Sequence, residues 1–299
     1  MQNSGKPYKS GFVAIIGAPN VGKSTLLNKM LGQKLSITSK KPQTTRDRIL
    51  GIAHQPEAQF IFLDTPGIHQ AKKPLNQRIV DVALSTLADV DLVLMLVDAS
   101  KPDPTSEGLL LKALHSQNNP ALLALNKIDL VPKPELLTLI DKWQKSHVFT
   151  AIVPISAKTG NQVEDLFGAM AASLPDGPPL FPESMLTDMP ERFIAAELIR
   201  EKAFRLTGQE IPYSLAVTID TFKEKKQGKL VSIQATIHVE QDSQKGIVIG
   251  KNGSKLKQIG AAARKEIEHM VGTKVYLKLF VRVQKNWTRD TKALRRFGY

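Results

Sequence analysis

The segment from Gly17 to Ser24, GAPNVGKS, has the residue types and spacing that point most clearly to chemistry. Its two glycines bracket four residues and are followed by a lysine and a serine, the spacing of a phosphate-binding loop. In such a loop backbone N–H groups point inward, Lys23 reaches the β- and γ-phosphates, and Ser24 ligates Mg²⁺. We therefore expect a nucleoside triphosphate to bind here. The predicted contacts are Gly17, Ala18, Pro19, Asn20, Val21, Gly22, Lys23, Ser24 and Thr25.

A second group of candidate residues, Asp64 to Ile68, follows the apolar run Phe60–Leu63. This position places a carboxylate near the metal and the N–H of Gly67 near the γ-phosphate. The preceding segment, residues 36–48, is polar and basic, as expected of a loop that orders only around a triphosphate. Its Thr44 or Thr45 could supply a second hydroxyl to Mg²⁺, and the residues alone do not distinguish the two. The predicted nucleotide contacts are Asp64, Thr65, Pro66, Gly67 and Ile68, and the predicted metal ligands are Ser24, Thr44, Thr45 and Asp64.

A third group, Asn126-Lys127-Ile128-Asp129, follows another apolar run, at the strand end where ligands of doubly wound sheets bind. The Asp129 carboxylate can accept hydrogen bonds from the ring N–H and the exocyclic amine of guanine. Adenine lacks that edge pattern and would leave the acceptor unpaired, so we expect GTP rather than ATP. Backbone N–H groups at the end of the next strand can face the guanine oxygen. The predicted base contacts are Asn126, Lys127, Asp129, Ser156, Ala157 and Lys158.

Apolar runs alternate with helical patterns through the first 175 residues, and this rhythm indicates a doubly wound, mainly parallel α/β sheet. The predicted strands are 12–16, 60–63, 91–97, 121–125 and 151–155, and the predicted helices are 24–31, 75–87, 105–116, 134–146 and 163–173. The proline-rich stretch 174–182 then interrupts the pattern, which marks a domain boundary.

The rest of the chain predicts a smaller α+β domain. In residues 274–283 apolar side chains alternate with polar ones, which indicates a strand with one covered and one wet face. The predicted helices are 192–206 and 255–270, and the predicted strands are 214–220, 230–239 and 274–283. The final residues, 287–299, are basic, and their structure is left open.

Net charge is concentrated at the C-terminal end. The whole chain carries a formal charge of +13, and residues 223–299 hold 18 Lys and Arg against six Asp and Glu. A nucleic acid or an anionic membrane surface would complement this charge, although a merely solvated basic surface is also consistent with it. The chain has no cysteine, which excludes disulfide frameworks and thiol nucleophiles. It also lacks a signal peptide or a long apolar run, so we expect a soluble, cytoplasmic protein.

The segment Gly250-Lys251-Asn252-Gly253 is a GxxG turn between a short apolar helix and a longer one. In such a turn helix N-termini and backbone N–H groups face a sugar–phosphate backbone, and about four nucleotides can be held. Three isoleucines, Ile247, Ile249 and Ile259, could line a groove for unstacked bases, although their helical spacing is more typical of core positions. The predicted RNA contacts are Ile247, Ile249, Gly250, Lys251, Asn252, Gly253 and Lys255.

Taken together, GAPNVGKS, PQTTRD, DTPG, NKID and SAK resemble the motifs of the translation-factor-related class of GTPases. The GxxG-containing half narrows this resemblance to the Era family of bacterial ribosome-assembly GTPases, over residues 10–290. The resemblance implies a P-loop GTPase domain followed by a type II KH domain. The expected limits are 1–175 for the GTP-binding domain, 176–190 for a linker, 191–285 for the KH domain and 286–299 for a basic tail.

The resemblance also implies a function and partners. These are a GTP-dependent switch that binds the 3′ end of small-subunit (16S) ribosomal RNA, assists assembly of the 30S subunit and associates peripherally with the inner membrane. We expect a monomer that does not bind DNA. Ile68 stands where many small GTPases carry a water-positioning glutamine, so intrinsic hydrolysis should be slow. The expected catalytic residues are Lys23, Gly67 and Asn20, the last because an asparagine here holds a potassium ion in several related GTPases.

Three other functions are compatible with parts of the sequence. A membrane-acting GTPase would use residues 223–299 to bind anionic lipid. An RNA chaperone would hold GTP as a structural ligand and hardly hydrolyse it. An ATP-driven motor or kinase is poorly supported, because Asp129 disfavours adenine and no aspartate motif for hydroxyl phosphorylation is present.

Overall fold

A computed structural model describes residues 7–38, 48–68, 85–207, 211, 215–225, 228–290, 293, 294 and 297. The chain forms two compact units, the first made mostly of residues up to Asp188 and the second mostly of Met189–Tyr299. Each unit is described separately. Among the described residues, no helix combines the length and the apolar character that crossing a bilayer requires.

Six described strands form the sheet of the first unit, in the order β2-β3-β1-β4-β5-β6. All neighbouring pairs are parallel except β2 and β3, which are antiparallel. The doubly wound, mainly parallel sheet expected from the sequence is therefore confirmed. The strands are β1 Lys9–Gly17, β2 Ile49–Gln55, β3 Ala58–Asp64, β4 Leu92–Asp98, β5 Ala121–Asn126 and β6 Ile152–Pro154.

The central strands are apolar on both faces because helices cover both sides of the sheet. Every residue of β3, β4 and β5 is buried, as expected for a parallel sheet enclosed between two layers. The described helices of this unit are α1 Lys23–Leu31, α2 Pro104–His115, α3 Lys133–Gln144 and α4 Val163–Ser173. The predicted helix 75–87 lies outside the described residues except for its last three, and Thr86–Asp89 form a short 3₁₀ helix.

Helix α2 shows how local sequence fixes an element. The Asp103 side chain accepts a hydrogen bond from the backbone N–H of Ser106 at 3.1 Å, and the Glu107 carboxylate accepts one from the backbone N–H of Asp103 at 2.9 Å. These reciprocal bonds satisfy two of the N–H groups that a helix start leaves unpaired. Pro104 at the first helical position has no N–H to lose.

Strand register brings the three nucleotide motifs to one edge of the sheet. Ile15 lies opposite Asp64 in the β1–β3 pair, and Asp98 lies opposite Asn126 in the β4–β5 pair. The carboxyl ends of β1, β3 and β5 therefore open at the same edge, where the ligands of doubly wound sheets bind.

The proline-rich segment after α4 is held against the first unit. The side-chain carbonyl of Gln59, a fully buried residue, accepts hydrogen bonds from the backbone N–H groups of Leu180 and Phe181 at 2.7 and 3.0 Å. Further on, the backbone N–H of Ile52 in β2 donates to the carbonyl of Leu186 at 2.8 Å. Residues 180–186 thus run beside β2, although the sequence identifies them only as a proline-rich break.

The second unit contains a three-stranded sheet in the order β7-β8-β9, with β7 antiparallel and β9 parallel to the central β8. Its chain order, helix-strand-strand-helix-helix-strand, is the α+β domain expected from the sequence. The strands are β7 Ala216–Lys225, β8 Leu230–Val239 and β9 Lys274–Val283; the helices are α5 Glu191–Leu206, α6 Asp242–Ile249 and α7 Ser254–Val271.

The residues after β9, whose structure the sequence left open, include a 3₁₀ turn at Trp287–Arg289. Trp287 is fully buried, and its ring centroid lies 5.1 Å from that of Phe297 in an edge-on arrangement. Phe297 also lies 4.5 Å, between ring centroids, from His238 of β8. The basic tail is therefore anchored to the second unit by two aromatic side chains.

Candidate functional site

The phosphate loop contacts Asn126 of the base-binding motif at Val21 and Gly22. Gly22 has φ of 108°, and a Cβ built on it would lie 2.3 Å from Nδ2 of Asn126. The same Nδ2 donates a hydrogen bond to the backbone carbonyl of Val21 at 2.7 Å. Glycine is therefore needed here both for its positive φ and for the close approach of Asn126.

Lys23 is buried inside the loop that precedes it. Its Nζ donates hydrogen bonds to the carbonyls of Gly17 and Ala18, both at 2.9 Å, and the residue is only 7% exposed. Burial lowers the pKa of this ammonium to about 8, while the nearby Asp64 carboxylate acts in the opposite direction. The loop thus holds its cation at the position where a phosphate would favour the charged form.

Two hydroxyls converge on the Asp64 carboxylate. The Oγ atoms of Ser24 and Ser36 donate to Oδ2 of Asp64 at 2.9 and 2.8 Å. Among the described residues, no group of three His, Cys, Asp or Glu side chains could alone hold a metal ion. Magnesium is commonly held by one or two carboxylates together with phosphate oxygens and water, so this oxygen-rich cluster fits it.

The segment Thr65–Ile68 packs directly on the phosphate loop. The Thr65 hydroxyl donates to the carbonyl of Ile15 at 2.8 Å, and the backbone N–H of Ile68 donates to the carbonyl of Gly17 at 3.1 Å. A Cβ added to Gly67 would lie 2.8 Å from the backbone nitrogen of Pro19. The Ile68 side chain is 1% exposed and belongs to the apolar core. It therefore cannot act as a polar group that orients water.

The base-binding motif joins three loops. Oδ1 of Asn126 accepts from the backbone N–H of Ala157 at 2.9 Å, and the hydroxyl of Ser156 donates to Oδ1 of Asp129 at 2.7 Å. Nζ of Lys127 donates to the carbonyl of Asn20 at 2.9 Å and forms an ion pair with Asp98. The Asp129 residue is exposed, so its carboxylate is accessible to a ligand.

Most of the predicted nucleotide contacts therefore lie together at one sheet edge. Lys158 is exposed beside them. Thr44 and Thr45 lie outside the described residues. Sequence reasoning missed Ser36 and Asp98 as partners of Asp64 and Lys127, because both contacts join distant parts of the chain; the position of Asp98 at the end of β4 was the one available signal.

The GxxG turn separates α6 from α7 in the second unit. Gly250 has φ of 72°, and a Cβ on it would lie 2.7 Å from the Cβ of Lys255. Lys251 and Asn252 are exposed at the tip. Of the neighbouring apolar residues, Val248 and Ile259 are fully buried, whereas Ile247 and Ile249 are half-buried. The last two thus combine core packing with partial access to solvent.

Comparisons with known proteins agree with this arrangement. A family model described as "50S ribosome-binding GTPase" matches residues 12–127, and one described as "KH domain" matches residues 210–288. The GTPase Era of Geotalea uraniireducens is 55% identical over 294 residues, covering 98% of this chain and 99% of that protein. The chain belongs to the Era family of GTPases. The family resemblance expected from the sequence is therefore confirmed, as is its identity as a GTPase.

Solved Era structures share the fold along nearly the whole chain. A variant of Aquifex aeolicus Era bound to GDP and AlF4⁻ is 44% identical with a TM-score of 0.94, covering 97% of this chain and 99% of that one. A structure of Era with MgGDPNP and nucleotides 1506–1542 of 16S ribosomal RNA gives the same identity and TM-score, covering 98% and 99%. The two-domain fold of this Era-family chain, a GTPase sheet followed by a KH domain, is thereby confirmed.

Proposed function

We propose that this GTPase is a nucleotide-gated switch that binds the 3′ end of small-subunit ribosomal RNA and assists maturation of the 30S subunit. The observation that carries the proposal is the exposed Lys251-Asn252 tip between two glycines at the start of α7. Backbone N–H groups and the helix N-terminus there suit a sugar–phosphate backbone. The Era structure that contains a 16S fragment supports ribosomal RNA as the ligand.

The nucleotide site supports guanine and Mg²⁺ as its ligands. Lys23 would contact the β- and γ-phosphates, and the N–H of Gly67 would face the γ-phosphate. Ser24 and Asp64, together with Thr44 or Thr45, would hold Mg²⁺, which would neutralise charge developing on the phosphates. Asp129 would accept from the guanine edge, while Asn126 and Ala157 keep the base-binding loops in place through their hydrogen bond.

We assign slow intrinsic hydrolysis to the lack of a water-orienting side chain, since position 68 is buried in the apolar core, and propose a potassium ion held by Asn20 as the group that offsets it. Asn20 adopts φ of 65° at the loop surface, where its side chain is exposed. GTP turnover should therefore be faster in potassium than in sodium buffer. Equal single-turnover rates in the two salts would refute the role of Asn20.

The central experiment is a titration of a fluorescent RNA carrying the 16S 3′ end with protein bound to GDP, to GDPNP or to no nucleotide. We expect tighter, sequence-selective binding in the triphosphate state, since a switch requires differential affinity. The double variant Lys251→Asp/Asn252→Asp keeps both glycines and should weaken binding at least about tenfold. Lys133→Asp, at an exposed site at the start of α3, is the control for reversing one positive charge.

Two results would contradict the proposal. Equal affinity in all three nucleotide states would remove the gating. Equal binding of a scrambled RNA would remove the ribosomal target while leaving a general RNA-binding function.

A further inference from the structure

One face of the β7-β8-β9 sheet carries exposed aromatic rings between cations. Along β9 the residues alternate, and Leu279 faces α7, since its side chain lies 3.5 Å from a Cβ built on Gly260. The opposite face presents Tyr276, Lys278, Phe280 and Arg282. Tyr276 is 56% exposed and Phe280 38%. Large aromatic side chains are usually more buried than this, which makes the pair informative.

Strand register extends this face across the whole sheet. Tyr276 lies opposite Ser232 of β8, which lies opposite Lys223 of β7. Directly opposed residues share a face, so small polar groups and cations surround the rings. The cations of this face are Lys223, Lys225, Lys274, Lys278 and Arg282.

Few acidic groups on this face neutralise the charge of these cations. Asp220, at the bulge in β7, accepts a hydrogen bond from the Thr236 hydroxyl at 2.6 Å and so lies on the same face. Nζ of Lys278 lies 5.0 Å from the ring centroid of Phe280, within the range of a cation–π contact. Among the described residues of this face, the five cations named above outnumber the Asp220 carboxylate.

Among the described residues, an aromatic side chain of the tail covers one end of this face. Phe297 lies against His238, at the end of β8 that is paired with Arg282. Of the described tail residues, neither Trp287 nor Phe297 stacks on Tyr276 or Phe280. This part of the face is thus a basic surface with two partly exposed rings, Tyr276 and Phe280, the second of which Lys278 also contacts.

We propose that this open sheet face is a second contact for single-stranded RNA, with bases stacked on Tyr276 and Phe280 and phosphates paired with Lys223 and Lys278. The inference rests on the RNA-binding function proposed above and extends it beyond the GxxG turn. Aromatic rings interleaved with cations on a sheet are suited to unstacked bases. Four residues of strand separate the rings by about 13 Å, so each takes a different base.

The test compares two single-stranded RNAs, one of about four nucleotides, which the turn alone can hold, and one of about twelve. Wild-type protein should bind the longer RNA more tightly. Tyr276→Ala/Phe280→Ala should weaken that binding by about fivefold or more for each ring lost, with no effect on the short RNA. The variant Lys251→Asp/Asn252→Asp should weaken both. Leu137→Ala, which removes an exposed apolar side chain from α3, is the matched control.

Two further measurements separate stacking from general damage. Tyr276→Phe should retain affinity, whereas Tyr276→Leu should lose it while keeping an apolar group of similar bulk. RNA carrying 5-iodouridine should crosslink to the peptide that contains Tyr276. Unchanged GDP affinity and thermal unfolding in every variant would establish that the fold is intact.

The outcomes are distinguishable. Failure of wild-type protein to bind either RNA would overturn the proposed function and this inference together. Wild-type-like affinity of Tyr276→Ala/Phe280→Ala for the long RNA would overturn this inference alone. If Tyr276→Ala/Phe280→Ala lost binding to phosphatidylglycerol vesicles while its RNA binding stayed intact, the RNA contact would be overturned in favour of a lipid-binding surface.

Discussion

Raising the pH should weaken nucleotide binding by removing the proton from Lys23 in the nucleotide-free protein. With a pKa of about 8, this ammonium is almost fully protonated at pH 6.5 and about three-quarters deprotonated at pH 8.5. Phosphates placed against Lys23 favour its charged form, so binding restores the proton. The Kd for GDP should therefore rise about fourfold across this range, equivalent to about 0.8 kcal/mol.

Calorimetry measures this effect directly. Titrations of GDP at pH 8.5 in two buffers with different ionisation enthalpies should report uptake of about three-quarters of a proton per nucleotide. Lys23→Arg should bind more weakly at every pH but with a flat profile, because a guanidinium does not titrate there. Lys133→Gln, at an exposed site, should keep the wild-type profile.

The lowered pKa of Lys23 also predicts how the stability of the nucleotide-free protein depends on pH. Between pH 8 and 10.5 the unfolded chain binds more protons at Lys23 than the folded chain, so the free energy of unfolding should increase with pH through that window. A flat Kd profile combined with zero proton uptake would refute the reasoning. It would mean that burial does not displace this pKa.

Three further predictions concern single side chains. Gly22→Ala should weaken GDP binding and lower the free energy of unfolding by about 1–3 kcal/mol, because its Cβ would clash with Asn126. Gly32→Ala, at a residue with φ of 66° and open space around it, introduces backbone strain without a clash and should lower the free energy of unfolding less. If urea denaturation gave the two variants equal losses of unfolding free energy, the clash would be excluded. Asp129→Ala should weaken GDP binding by at least about tenfold through lost charge-assisted hydrogen bonds, leaving weak ATP binding unchanged, and an equal loss for both nucleotides would contradict base selection. Ile68→Gln should lower the free energy of unfolding by about 1–3 kcal/mol by burying an amide without raising the rate of GTP hydrolysis, and faster turnover would show that this position can orient water.

Elements with strong local patterns were predictable from the sequence. Strands β8 and β9 occupy the predicted ranges because apolar and polar residues alternate along them. Strand β2 was missed because Gly51 interrupts its apolar run. That glycine has a tertiary cause, since a Cβ there would lie 2.8 Å from the Leu31 side chain of α1. A contact between segments distant in the sequence produces no local pattern of apolar residues from which the strand could be predicted.

Within the site, the residues of each motif were predictable from the sequence, whereas the side chains that hold the motifs in place were not. Gly22, Lys23 and Asn126 were predictable because phosphate and guanine chemistry fixes residue type and spacing within each motif. The partners that hold the motifs in place, Ser36 and Asp98, depend on how the strands assemble. The sequence also did not separate core from groove at Ile247, whose half-buried position reflects both.

The proline-rich segment has a consequence for self-association of the first unit. Among the described residues, β2 is the last strand on its side of the sheet, and residues 180–186 lie beside it, with the backbone N–H of Ile52 donating to the carbonyl of Leu186. A polypeptide cut after Pro175 would lose this cover and expose an apolar edge strand with free N–H groups, a template for pairing with another molecule. Cutting after Asp188 instead keeps the edge protected and Gln59 paired, and so should yield a GTPase fragment that stays dispersed where the shorter one aggregates.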